Sequence, residues 1–285
     1  MAAISKPAVQ LQVLGPVSVA LAGGGDATPL LTQPRRLAVL TYLTLARPRG
    51  LHARDTLIAL LWPEANHAGG RHALRNVLHA IRLALGDVLV SAGDGLVGVD
   101  RMRLVCDALL LEDDVAADRV EEATARYEGE PLQGFHVADA PEFERWLDAE
   151  RQRLHHIALR AAWRAADEHR VRGDLGGAVR LARRAAALAP DDEPSLRRLI
   201  KLLAVAGDPG SALRAYDDFA ARLREDCGAE PAADTRSLVR DLRVRRATPA
   251  DGVRADSLPL HTRSNDSQVP VSREPVPTPP SEASA

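Results

Sequence analysis

Arg71, His72, Arg75, Asn76, His79 and Arg82 all fall within GGRHALRNVLHAIRLALG (69–86), and no aspartate or glutamate accompanies them. Leu74, Val77, Leu78, Ile81 and Leu85 recur in the same stretch at helical spacing, so it reads as a helix with one buried stripe. The rest of its circumference is then cationic and amide-bearing. Guanidinium groups neutralise phosphates, and in a major groove arginine pairs with guanine and asparagine with adenine through two matched hydrogen bonds each. Arg75 and Asn76 suit base edges, while Arg82, further along, suits phosphate. The plainer alternative is a solvated amphipathic helix whose outer side happens to be basic. His72 and His79 lie two turns apart on one side and could ligate a metal, but no third ligand stands at a recognisable spacing.

The elements around this helix must position it. LQVLGPVSVAL alternates apolar and polar positions (Leu11, Val13, Val17, Val19, Leu21) and breaks at Gly15-Pro16, which predicts strands; AGGGDATP follows as a loop. QPRRLAVLTYLTLARPRG predicts a helix with Pro34 at its start, apolar on nearly every side and therefore central. ARDTLIALLWP predicts a shorter helix with Leu57, Leu60 and Leu61 inward, stopped by Pro63. VLVSAGDGLVGV then gives two short strands about Asp94-Gly95, a hairpin signal. Strands, three helices and a terminal hairpin, in that order, describe a winged helix-turn-helix module, in which the third helix is the one presented to a major groove.

The second part of the chain reads as helical. Asp139, Pro141 and Glu142 together look like an N-cap, an N-terminal proline and a capping acid. Phe143, Trp146, Leu147, Leu154, Ile157, Ala158 and Ala161 then form a long stripe ending near Gly173. GDLGGA (173–178) and GDPGSA (207–212) lie 34 residues apart and match at Gly173/Gly207, Asp174/Asp208, Gly176/Gly210 and Ala178/Ala212. That is the period of tetratricopeptide helix pairs. The second copy departs from the pattern at Phe219, where a small residue is usual. Two such units are marginal alone, so the helix from Pro141 is expected to pack with them.

Composition limits the possible partners. The 285 residues carry a net charge of −2, but residues 1–105 hold 11 Lys/Arg against 6 Asp/Glu, and residues 106–247 hold 23 against 28. Two units with different partners are expected from that asymmetry. Only Lys6 and Lys201 among 37 cations are lysines, a bias that genome composition could set, though arginine is also the better bidentate reader. Two cysteines are too few for a disulfide framework and are expected to be unpaired thiols. No apolar run is long enough to span a membrane, and MAAISKPAVQLQVLG lacks a signal-peptide core, so a cytoplasmic location is expected. From 247 to 285 the chain is rich in Pro and Ser and is expected to be a disordered tail or linker.

Enzyme chemistry finds no foothold, and no cofactor or metal is expected. GDGLVG (93–98) satisfies G-x-G-x-x-G, but VDRMRLV after it is strand-like, whereas the dinucleotide fingerprint needs a helix there. AGGGD (22–26) lacks the Gly-Lys-Ser/Thr of a phosphate loop. Neither a nucleophile elbow nor a His-Glu-x-x-His helix is found. Glu142, Glu144 and Glu150 read as capping and solvated residues, and His155-His156 as a surface pair.

LQVLGPVSV, RRLAVLTYLTL, LLWPE and ALRNVLHAIRLALG, in that order, resemble the N-terminal DNA-binding domain of antibiotic-regulatory-protein (SARP) type bacterial activators, a winged helix of the OmpR/PhoB sort. YEGEPLQGFHVADAPEFERWLDAERQRL and LREDCGAEPAADTRSLVRDLR resemble the bacterial transcriptional activator domain of the same proteins, and the similarity spans about 9–246. The resemblance implies a transcription activator that binds double-stranded promoter DNA as a homodimer and contacts RNA polymerase. By position, His72, Arg75, Asn76 and His79 would read the groove, with Arg71 and Arg82 beside them. The loop bearing Trp62, Glu64, Asn66 and His67 would meet polymerase. Two departures stand out. The hairpin tip SAGDG has no basic residue, leaving Arg101 or Arg103 as the only cations near a wing, and no nucleotide-binding or receiver module is recognisable. The expected architecture is an α+β N-terminal winged helix-turn-helix (1–104), an all-α tetratricopeptide-like domain (105–246) and the tail (247–285). A rival reading is a helical-repeat interaction scaffold whose winged helix no longer binds DNA.

Overall fold

The computed structural model describes residues 8–25 and 27–247; the expected tail lies outside them, save Ala247. The N-terminal part opens with β1 (Val9–Gln12) and β2 (Ser18–Leu21), an antiparallel pair in register Val9 to Leu21. A single turn, α1 (Thr28–Leu31), stands where a loop was expected. It is followed by α2 (Pro34–Leu45), the two-residue strand β3 (His52–Ala53), α3 (Arg54–Leu61) and α4 (His67–Leu85). The hairpin β4 (Leu89–Ala92) and β5 (Leu96–Val99) turns at 93–95, and β3 adds to its β5 edge. No helix starts at GDGLVG, so those glycines serve the turn.

The strand β6 (Leu104–Cys106) then returns to β1 and pairs with it in parallel, giving the order β2-β1-β6. This strand straddles the expected boundary at 104/105. The chain continues directly from it into α5 (Asp107–Ala116) and α6 (Val120–Arg126), two helices that carry no distinct periodic signal of their own. Asp107 locks the junction: its carboxylate accepts from the Val13 and Leu14 amides at 2.9 Å.

A 31-residue helix, α7 (Pro141–Val171), runs through both halves of the interior. Phe143, Leu147 and Leu154 belong to the core that also holds the N-terminal strands and helices. Ala162, Trp163, Ala165 and Ala166 belong to the core of the helical repeats. The cap expected at Asp139 is not there. Ala140 is the N-cap residue, Asp139 has φ +59°, and the terminus is held instead by Glu144 Oε1, which accepts from the Val137 amide at 2.7 Å. Glu150 is also not solvated. It is 7% exposed and paired with Arg153. His155 is half-buried with its ring edge-on to Tyr127, and desolvation lowers its pKa.

The repeat period is carried by geometry as well as by letters. α8 (Leu175–Leu188) and α10 (Pro209–Cys227) are capped by Asp174 and Asp208, each accepting at 2.9 Å from an amide three residues on. Gly173 and Gly207 precede them at φ +83° and +79°, a conformation that costs glycine nothing and other residues about 1 kcal/mol or more. α9 (Glu193–Val205) and α11 (Ala233–Ala247) complete the array, and Phe219 is buried in it at 4% exposure. The fold is thus α+β at the front, a winged helix-turn-helix, followed by all-α tetratricopeptide-like helices.

One ion cluster ties the two parts together. Glu112 on α5 receives Arg49 at 2.8 Å and Arg47 at 3.0 Å from the segment after α2, together with Arg153 from α7. Desolvation pushes the Glu112 carboxyl up, but the hydrogen bonds and charges of Arg49 and Arg153 outweigh it and hold the pKa below the usual carboxylate range. A lowered folded pKa adds stability above the unfolded value, about 4.3, and that stability is lost as pH falls through the folded value. Glu112→Gln is therefore expected to cost on the order of 2 kcal/mol at pH 7. In urea melts the gap to the parent should narrow as pH drops toward 3; a gap independent of pH would contradict the assignment.

Candidate nucleic-acid interface

Local chemistry sets the start and end of α4. Asn66 caps its N-terminus, the side chain accepting from the Gly69 amide at 2.8 Å, and Gly86 ends it with positive φ. The apolar stripe is buried as the spacing requires: Leu74, Leu78, Ile81 and Leu85 are all at or below 5% exposure, and Val77 is packed beside them. This stripe lies on α2 and α3. The approach to α3 is close enough that a Cβ on Gly70 would stand 2.5 Å from Ile58 Cγ2.

With the stripe buried, Arg71, His72, Arg75, Asn76, His79 and Arg82 are all exposed. At 3.6 residues per turn they divide into two lines. His72, Asn76 and His79 lie opposite the stripe, with Leu83, 75% exposed, continuing the line. The Asn76 amide and the His72 ring are 3.0 Å apart, which sets their mutual orientation. Arg71, Arg75 and Arg82 form a flank on the hairpin side. Arg82 reaches Ser91 of β4 at 3.5 Å. Arg75 and His79 have no ion-pair or hydrogen-bond partner among the described residues.

The hairpin tip and the start of α3 close on that flank to form a cleft of about 550 Å³, lined by Arg54, Asp55, Arg71, Arg75, Asp94 and Gly95 among others. Two features here were invisible in the linear pattern. Arg54 is a third guanidinium in the cleft, with its Nε buried and unpaired and its own amide bonded to the Gly95 carbonyl at 2.9 Å. Two carboxylates, Asp55 and Asp94, also reach the face that is acid-free along the helix itself. Asp55 lies 3.8 Å from Arg71, with both side chains more than half exposed. Such a pair is worth at most about 1 kcal/mol and exchanges readily for a phosphate. Arg101 and Arg103, the cations considered for a wing, sit in the turn after β5 and are directed at Asp113, Asp87 and Asp100.

In the α3–α4 connection, Trp62 is half-buried with the Arg35 guanidinium 6.0 Å from its ring centroid, and Asn66 is occupied as the cap. Glu64 and His67 are exposed, the latter as the first residue of α4. No group of three or more metal-ligating side chains occurs among the described residues, and His72 bonds Asn76 rather than a second histidine. Cys106 is buried, which pushes its thiol pKa far up, and Cys227 is exposed. No described helix is long and apolar enough to cross a membrane.

The layout is a winged helix joined through β6 to tetratricopeptide-like helices. The family described as "Bacterial transcriptional activator domain" matches residues 108–243, the segment from α5 to α11. Residues 108–243 thus carry that domain. Its fold is similar to that of Mycobacterium tuberculosis EmbR, solved in complex with a low affinity phosphopeptide, with a TM-score of 0.55 and 22% identity. The match covers 86% of this chain and 67% of that one. No curated protein matches the sequence.

The capping role of Asn66 can be measured. Asn66→Ala is expected to cost about 1 kcal/mol of stability and to speed amide exchange in the first turn of α4, with the last turn unchanged. Equal exchange at both ends would mean that the cap does not define this terminus.

Proposed function

We propose that the protein activates transcription by seating α4 in the major groove of promoter DNA. Residues 1–104 serve as the reading module and 105–246 as the regulatory and dimerising one. The observation that carries this reading is a single helix whose apolar stripe is fully buried while six cationic or hydrogen-bonding side chains stand exposed opposite and beside it. Asn76 faces base edges with His72 and His79 along its line, and Arg75 reaches them from the hairpin-side flank. Arg71 and Arg82 flank them toward phosphate, joined by Arg54 from the cleft. Exposed arginines with weak or no partners at home release little on binding and gain a full charge-assisted bond to the duplex.

A gel-shift titration over salt on a site recovered by selection from random DNA tests the roles separately. Arg75→Ala should cost about 1–3 kcal/mol and relax base preference at one position. Arg71→Ala and Arg82→Ala should weaken all sequences alike and reduce the salt slope by about one each. The absence of any salt dependence would end the DNA reading. It would also favour the scaffold alternative, for which the specific support is the pair of carboxylates, Asp55 and Asp94, at the cleft.

Polymerase contact through the α3–α4 connection is the second part of the proposal. With Trp62 packed and Asn66 capping, Glu64 and His67 are the side chains free to reach a partner. The double variant Glu64→Ala/His67→Ala should lower activated transcription in vitro about tenfold while leaving DNA affinity within about twofold of the parent. A matching loss in both assays would place these residues in DNA binding instead.

A further inference from the structure

A second cleft, of about 600 Å³, lies in the helical half, remote in sequence from α4. Its long wall is one face of α7, where Ile157, Arg160, Ala161, Arg164 and Asp167 recur at helical spacing. The facing wall is the first turns of α9, with Pro194, Ser195 and Arg198. Val115 at the end of α5 and Val120 at the start of α6 also line the cleft. The volume lies within the range of small-molecule sites, about 300–1,000 Å³.

The lining has a distinct chemical polarity. Trp163 is only 7% exposed and is fixed on two sides: its indole N–H donates to Ser195 Oγ at 3.2 Å, and the Arg198 guanidinium lies 4.1 Å from its ring centroid. Arg198 is itself neutralised by Asp167 at 2.9 Å, and Arg164 is engaged with Asp118 and Glu168. Arg160 is different. It is exposed on the same wall and has no ion-pair or hydrogen-bond partner among the described residues. Asp192 also lines the cleft, its carboxylate engaged as the α9 N-cap by the Ser195 amide at 2.8 Å. The cleft therefore joins an apolar, aromatic seat, with Val115, Val120 and Ile157, to the one cationic side chain of its lining, Arg160, that has no partner among the described residues.

We propose that this cleft binds a small amphipathic carboxylate, its apolar body seated beside Trp163 and its acid group on Arg160. An anion is selected because Arg160 gains a charge-assisted partner that it lacks among the described residues. A flat apolar body is selected by the fixed indole and the branched aliphatic walls.

The probe is 1-naphthoate, compared with uncharged 1-naphthalenemethanol and cationic 1-naphthylmethylammonium. The readout is the indole N–H resonances of the full-length ¹⁵N-labelled chain, which carries only three tryptophans. The Trp163 signal is assigned from Ser195→Ala, which removes its acceptor. Naphthoate is expected to shift that signal saturably, with one site per chain. The other two compounds should bind at least about tenfold more weakly, and Arg160→Glu, a substitution at an exposed position, should weaken naphthoate by a similar factor. Three results would overturn the proposal: no Trp163 shift up to about 10 mM naphthoate, equal binding of the cationic or uncharged compound, or unchanged binding by Arg160→Glu. None of these readouts involves DNA, so they stand apart from the fate of the activator reading.

Discussion

Burial of the α4 stripe is the constraint from which the rest of the N-terminal part follows. Leu74, Leu78, Ile81 and Leu85 each contribute about 1.5–3 kcal/mol by leaving water, and they can do so on α2 and α3 only in one rotational setting. Rolling the helix by half a turn would expose all four and drive His72, Asn76 and His79 into an apolar floor. The orientation of the cationic face is thus set by hydrophobic packing rather than by any interaction the face itself makes. Arg75 and His79 can remain without partners among the described residues because that packing does not depend on them.

Features governed by local periodicity were readable in the sequence. The stripe of α4 and the buried character of α2 rest on spacing along one element, and the Asp94-Gly95 hairpin and the 34-residue repeat on short motifs with their own local chemistry. Asp174 and Asp208 show how far such a signal reaches: matched letters correspond to matched caps, glycine dihedrals and turn hydrogen bonds. What spacing does not encode is which distant residue arrives nearby. Asp55 and Asp94 join the cationic face only because α3 and the hairpin close on α4. Arg54 enters the site by the same route. Glu150 looked solvated on a charged helix, yet it is buried because α5 brings Glu112 and α7 brings Arg153 to one place. The cap expected at Asp139 failed for a related reason. The chain before α7 is pinned by Arg151, which donates to the carbonyls of Pro131, Leu132 and Phe135, and this tertiary anchoring overrides the local capping signal.

The helical half shows how a weak repeat becomes a stable domain. Two tetratricopeptide-like pairs have little core of their own, and α7 supplies the missing surface by belonging to both hydrophobic clusters. Arg35 on α2 bonds the carbonyls of Leu61 and Ala138, and Tyr42 packs against Trp146 with ring centroids 4.8 Å apart. Polar and aromatic contacts therefore connect the support of α4 to the long helix and to the segment before it, in addition to the Glu112 cluster.

The parallel pairing of β6 with β1 has a mechanical outcome. The sheet that begins the chain also receives its last strand, and α5 departs from that strand with no intervening residue, Cys106 serving as both strand end and helix cap. A joint of this kind has no swivel. If α4 docks on a duplex as proposed, its azimuth is imposed on the helical array behind it, and a neighbouring molecule would meet a surface whose angle is dictated by helical phase along the double helix. Spacing between adjacent sites would then be measured by protein shape, as by a fixed set-square, rather than tolerated by a slack tether.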